Sequence, residues 1–133
     1  MKISILLPFK ENFSPIYPGA VSLFINDTLK ISKYRSNTIV YGNTDLNKTF
    51  KLKYKNIIIK KSFFKSQNKS YVEEFAKLEN KRKSDLIEIH NRPIYLKYLL
   101  KLVTMWDWTY YKPDIMVSHK IDGEYSFIAQ KMD

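Results

Sequence analysis

Residues 2–41 read KISILLPFKENFSPIYPGAVSLFINDTLKISKYRSNTIVY, and this stretch decides the fold. It opens with the apolar run KISILL, stopped by Pro8, which is the pattern of a short strand buried on both faces. Residues 8–18 hold three prolines among polar residues and predict a loop, punctuated by Pro18-Gly19. From Gly19 onward, apolar residues at 20, 21, 23, 24, 25, 29 and 31 predict a helix packed on a sheet. Lys30 and Lys33 stand near its C-terminal end, where the helix dipole favours cations. Residues 38–41 (TIVY) then form a second strand, closed by Gly42-Asn43. Strand, helix, strand within about forty residues is a βαβ unit, the seed of a parallel sheet.

Working outward, residues 56–59 (NIII) predict a third strand and residues 66–83 a second helix with Tyr71, Val72, Phe75 and Leu78 on one face. Residues 85–89 (DLIEI) predict a fourth strand, ending at His90-Asn91-Arg92. A third helix starts at Pro93, a favoured first-turn residue, and continues through IYLKYLLKLV. The fold class is α/β: a mainly parallel sheet with helices on both faces. Beyond residue 101 the pattern changes. Residues 104–111 are rich in aromatics, and two strand-like runs, 114–119 and 124–129, flank Asp122-Gly123, a hairpin signal. The expected division is therefore a domain over 1–101 and a divergent tail over 102–133, comprising the helix end and an irregular hairpin.

Composition removes several function classes. A chain of 133 residues with 44% hydrophobic and 15% aromatic content has ample material for a core, so wholesale disorder is excluded. With no cysteine there is no disulfide scaffold, no cysteine nucleophile and no Cys-ligated zinc. No apolar run reaches the ~18–20 residues of a membrane span, and the N-terminal run is too short for a secretory signal. A cytoplasmic location is the expectation. Two histidines without a neighbouring carboxylate pair argue against a metal site.

The net charge of +10 comes from 20 lysines and three arginines. Lysine is a point charge, whereas base and phosphate readers lean on the arginine fork, so no nucleic acid is expected. The excess is concentrated in residues 51–84, with eleven basic side chains against three acidic. That segment reads either as a solvated lysine face or as a surface for an anionic membrane or phosphorylated ligand.

In an open α/β sheet, ligands bind outside the carboxyl ends of the strands. Two segments occupy that edge. The loop after strand one carries Lys10, Glu11, Asn12 and Ser14 and delivers Gly19 to a helix N-terminus, an arrangement that suits an anion or simply turns the chain. The turn after strand four carries His90, able to exchange a proton near neutral pH, and Arg92, able to pair with phosphate or carboxylate. Asn91 reads either as part of this cluster or as a helix cap. His119, alone between strand-like residues, reads as structural.

Taken together in order, ILLPFKENFSPIYPGAVSLFINDTLKISKY, TIVYGNT and DLIEIHNRPIYLKYL resemble the start of bacterial family 4 glycosyltransferases of the GT-B type, over residues 1 to about 100. The resemblance implies a Rossmann-like, acceptor-side domain, the N-terminal half of a two-domain enzyme that transfers a sugar from a nucleotide-sugar to a glycan or lipid-linked acceptor. It implies a catalytic role for His90 beside the reacting sugar, with Asn91 and Arg92 near the acceptor, and places Gly19, in the loop that also carries Glu11, toward the donor phosphates. It also implies that the donor-binding domain and its acidic residues lie outside these 133 residues, so that this chain alone is inactive, and that no cofactor is needed. The tail does not align with the family.

Two alternatives stand beside this reading. One is a non-catalytic α/β module that touches an anionic membrane through residues 51–84 and the aromatic stretch containing Trp106, Trp108, Tyr110 and Tyr111. The other rests on Lys120-Ile121-Asp122-Gly123, which resembles the Lys-x-Asp-Gly motif of covalent nucleotidyltransferases, in which the lysine attacks a nucleotide α-phosphate. The accompanying motifs of that family are absent from the chain.

Overall fold

The computed structural model describes residues 1–60, 63–102, 117–121 and 124–130. Among the described residues, six strands form one sheet in the order β3-β2-β1-β4-β6-β5. The strands are β1 (Ile3–Leu6), β2 (Thr38–Gly42), β3 (Tyr54–Asn56), β4 (Leu86–His90), β5 (Val117–Ile121) and β6 (Glu124–Gln130). The first four are mutually parallel. β6 pairs antiparallel with β4, and β5 antiparallel with β6. The helices are α1 (Ala20–Ile31), α2 (Gln67–Arg82) and α3 (Pro93–Leu102).

Strand alternation sorts the core into two layers. Ile3, Ile5, Leu7 and Val40 project to one face and pack with Val21, Ile25 and Leu29 of α1. Leu6, Tyr41, Ile87 and Ile89 project to the other and pack with Tyr71, Val72, Phe75 and Ala76 of α2 and with Tyr95 and Leu99 of α3. All four residues of β1 are buried, which is why this central strand reads as an uninterrupted apolar run. The result is an α/β architecture with a mainly parallel sheet flanked by helices, in keeping with a generic Rossmann-like fold.

The chain builds outward from β1 to β2 and β3, then returns through α2 to place β4 on the opposite side of β1. The sheet thus has its topological switch point between β1 and β4, and the loops leaving these two strands diverge there.

Element boundaries follow local chemistry. Ser66 caps α2 by accepting a hydrogen bond from the Lys69 amide at 3.2 Å. Lys83 ends it in the left-handed conformation (φ 55°). At the same end, buried Glu79 accepts from the Ser84 amide at 2.6 Å, and the hydroxyls of Ser84 and Ser4 meet at 2.7 Å. Arg82 adds bonds to the carbonyls of Asn37 and Ile3, tying α2 to the entrances of β2 and β1.

One expectation is corrected. The third strand is Tyr54–Asn56, not 56–59. β2 ends at Gly42, whose carbonyl takes the Ile57 amide at 2.7 Å, so the apolar residues after it have no partner strand left to pair with. Ile57 is buried but Ile58 is 80% exposed. The expected fifth strand, 114–119, falls in part on β5 (Val117–Ile121); residues 114–116 lie outside the described residues. The register of β5 with β6 sets Ile121 opposite Glu124, so a two-residue connection joins them. Asp122-Gly123 and the aromatic stretch 104–111 lie outside the described residues.

Candidate functional site

The loop from Pro8 to Gly19 leaves β1 at the switch point. It folds back on itself: the Glu11 amide donates to the Pro8 carbonyl at 3.1 Å, and the Gly19 amide to the Asn12 carbonyl at 3.3 Å. Lys10 (φ 64°) and Tyr17 (φ 50°) adopt left-handed backbone conformations within it. Such residues are held against their own preference by the surrounding structure, and they concentrate at functional loops.

The loop brings Glu11 and Gly19 together. Oε1 of Glu11 accepts the Ser22 amide at 3.1 Å, in the first turn of α1. A Cβ on Gly19 would lie 1.8 Å from Oε1, 2.2 Å from Cδ and 2.6 Å from Oε2 of Glu11. The glycine therefore leaves room for a carboxylate, and that carboxylate occupies the anion-favouring end of α1. No acidic residue lies in the first turn itself, so Glu11 supplies its negative charge from outside the helix.

On the other side of the switch point, β4 ends at His90. The imidazole is 3% exposed. Its Nε2 lies 2.5 Å from Oε1 of Glu88, two residues back on the same face of the strand. The ring meets Phe24 of α1 edge-on, with centroids 5.9 Å apart. A histidine oriented by a carboxylate is a recurrent acid–base arrangement.

Asn91 follows in the left-handed conformation (φ 55°), which asparagine tolerates better than most residues. It turns the chain sharply from strand to helix. Because α3 begins at Pro93, the cap position belongs to Arg92, whose carbonyl accepts the Tyr95 amide at 2.9 Å. The capping alternative for Asn91 does not hold. Arg92 is exposed at the rim.

Tyrosines join the two loops from the α2–α3 side. The Tyr95 hydroxyl accepts the Phe9 amide at 3.0 Å and donates to Oδ1 of Asn68 at 2.8 Å. Burial raises the pKa of Tyr95, while the Phe9 amide and the Arg92 guanidinium pull it back. The Tyr71 hydroxyl donates to the Leu7 carbonyl at 2.9 Å, and burial holds its pKa well above the usual phenol value. Both rings stay neutral and act as hydrogen-bonding caps on the ends of β1 and β2.

The sequence-predicted residues thus fall in two groups, Glu11 with Gly19 and His90 with Asn91 and Arg92. They are linked through the Phe24–His90 and Phe9–Tyr95 contacts. Sequence reasoning missed Glu88, Tyr95 and Tyr71. Glu88 was accessible from its i, i+2 spacing to His90; the tyrosines looked like ordinary core residues of amphipathic helices. Lys120 lies in β5, opposite Tyr125. Among the described residues, no group of three or more His, Asp or Glu side chains could hold a metal ion, and no helix is long and apolar enough to cross a membrane. No protein-family model matches the sequence, and no curated protein or solved structure matches it significantly.

Proposed function

We propose that this chain is the acceptor-side domain of a glycosyltransferase that uses a nucleotide-sugar donor and a glycan or lipid-linked acceptor. The observation that carries the reading is the switch point between β1 and β4, flanked by the Glu11–Gly19 loop and the His90–Arg92 turn. The sequence resemblance supplies the reaction class. In such a transfer the acceptor hydroxyl replaces the nucleoside diphosphate on the anomeric carbon and gives up its proton. Arg92, exposed at the rim, would meet the acceptor. His90, its Nε2 held by Glu88, would stand behind it beside the reacting sugar. Glu11 fills the α1 terminus with negative charge, which favours a hydroxyl-bearing acceptor over a phosphate at that point.

The test is an NMR titration of the labelled chain with short neutral and acidic oligosaccharides, prenyl-phosphate sugars, UDP-glucose and GDP-mannose. The expected result is that an acceptor-type sugar shifts the amides of residues 9–19 and 90–95, while both nucleotide-sugars bind weakly or not at all. Tight nucleotide-sugar binding to the isolated chain, or no response at these amides to any sugar, would overturn the reading.

A second reading is favoured by the segment between β3 and α2. Ile58, Phe63 and Phe64 are 80%, 103% and 98% exposed, with Lys60 and Lys65 alongside. Bulky apolar side chains among lysines suit the interface of an anionic bilayer. Sedimentation with phosphatidylserine-containing and with neutral vesicles separates the cases; equal binding to both discards the electrostatic contact.

A further inference from the structure

The connection from β2 to β3 contains no helix. Residues 43–53 run back along α1, and the Phe50 amide donates to the Phe13 carbonyl at 3.4 Å. The rings of Phe50 and Phe13 pack edge to face, 5.2 Å apart. A cavity of about 530 Å³ lies between this crossover and α1, and a shallow, open one of about 540 Å³ adjoins it beyond the end of α1; the two share Arg35, Lys51 and Leu52. The first reaches Pro15, in the loop at the carboxyl edge of the sheet. The second extends to Ser36 and Lys53, toward the amino edge. Together they form an open groove that leads away from the candidate site, first beside α1 and then past its C-terminal end.

The lining is one-signed. Lys30, Lys33, Arg35, Lys48, Lys51 and Lys53 border the two cavities, and among the described residues no acidic side chain lines either. Asp27, which lines neither cavity, engages Lys30 at 3.2 Å and accepts from Nδ2 of Asn26 at 3.0 Å. Arg35 is held in place by donating to the Lys51 carbonyl at 3.2 Å, which leaves its remaining N–H donors for another partner. Phe50 and Leu52 supply an apolar floor.

The shape and chemistry select among polyanions. A bilayer is flat and does not enter a groove. Single-stranded nucleic acid binds by stacking bases on open aromatic faces. Here Phe50 is packed on Phe13, and the Tyr34 ring is covered by the Lys33 ammonium at 5.1 Å from its centroid. Lysine point charges over an apolar floor instead suit sugar rings that carry repeated anions.

We propose that this groove binds a linear anionic glycan, bearing uronate or phosphodiester groups. It would hold the part of a polymeric acceptor that lies beyond the reacting end, a role that rests on the glycosyltransferase reading, although the binding itself does not.

Fluorescence anisotropy on the full chain tests it, with labelled octamers of alginate, poly(mannosyl phosphate), neutral dextran and oligothymidylate. The expected result is binding of alginate, of poly(mannosyl phosphate), or of both, weakening steeply from about 50 to 200 mM salt, with none for dextran. Which of the two binds identifies the anion. K48Q/K51Q should weaken that binding roughly tenfold or more, with an unchanged circular dichroism spectrum, whereas K81Q, an exposed lysine of α2 that lines neither cavity, should leave it unchanged. Failure of both anionic glycans to bind, insensitivity to K48Q/K51Q, equal binding of dextran, or tighter oligothymidylate binding would each overturn the proposal. An equal loss of binding in K81Q would overturn the assignment to the groove. Glycan binding that is lost in K48Q/K51Q, without shifts at residues 90–95, would leave the groove standing and remove the acceptor-site reading.

Discussion

At the scale of single residues, Gly19 and Glu11 are one unit. Gly19 has φ −75° and ψ 161°, a conformation open to any amino acid, so its lack of a side chain is not explained by backbone freedom. The explanation is the Glu11 carboxylate standing where a Cβ would go. Because that carboxylate is the end of a flexible side chain, Gly19→Ala should displace it rather than clash with fixed structure. The cost is then the lost helix-terminus contact, about 1–2 kcal/mol. Glu11→Ala should cost a similar amount, and the double variant should cost no more than Glu11→Ala alone. Urea unfolding of the three variants measures this coupling; strictly additive losses would show that the two residues act independently. His90 and Glu88 form a comparable unit, but both lie on the sheet, so changing either disturbs the packing of Phe24 as well.

At the scale of elements, α2 offers two predictions of opposite sign. Ser66→Ala removes the side-chain cap on the Lys69 amide and should lower stability by about 1 kcal/mol. Lys83→Gly relieves a left-handed non-glycine residue at the other end and should raise stability by about 0.5–1 kcal/mol. Thermal unfolding followed by circular dichroism checks both; a destabilised Lys83→Gly would show that the lysine side chain contributes more than its backbone costs. Elements of this kind were legible in the sequence, because α1, α2, α3 and the strands β1, β2 and β4 each show the hydrophobic period of their own geometry. β3 was misplaced because the NIII run carries the stronger local signal, while pairing is decided by where β2 ends. The same limit applies to β6. Its strand character was readable from EYSFIA, but nothing local says that it docks antiparallel on β4, since sheet order is a property of tertiary contacts. The candidate site divides in the same way: its loops were legible from their position after apolar runs, and the tyrosine and glutamate partners that hold them were not.

At the scale of the whole molecule, the tyrosines decide how the fold responds to alkali. Burial raises the pKa of Tyr41, Tyr71 and Tyr95 above 10.0, and raises that of Tyr54 to about 12. Tyr41 and Tyr54 stand on β2 and β3 and Tyr71 and Tyr95 on α2 and α3, with Tyr71 bonded to the Leu7 carbonyl, Tyr95 to Phe9 and Asn68, and Tyr54 to Oδ1 of Asn56 at 2.7 Å. Ionising any of them in the folded state places a negative charge in a buried position and removes the phenolic proton donor. Unfolded, all four titrate near pH 10, so below that pH both states hold the protons and stability does not depend on these groups. Above it the unfolded chain has released protons that the folded chain still binds. Stability then falls as pH rises, for Tyr54 over the window from about 10 to about 12. Urea unfolding between about pH 8.5 and 11 should therefore show a plateau followed by a decline. Tyr54→Phe should lose about 1 kcal/mol at neutral pH, from the bond to Asn56. It should also show a shallower alkaline decline than the unaltered chain, by the contribution of one proton. A variant profile parallel to the parent above about pH 10 would place the alkaline loss in the other raised tyrosines, Tyr41, Tyr71 and Tyr95, and would remove Tyr54 from the set of groups that tie stability to pH.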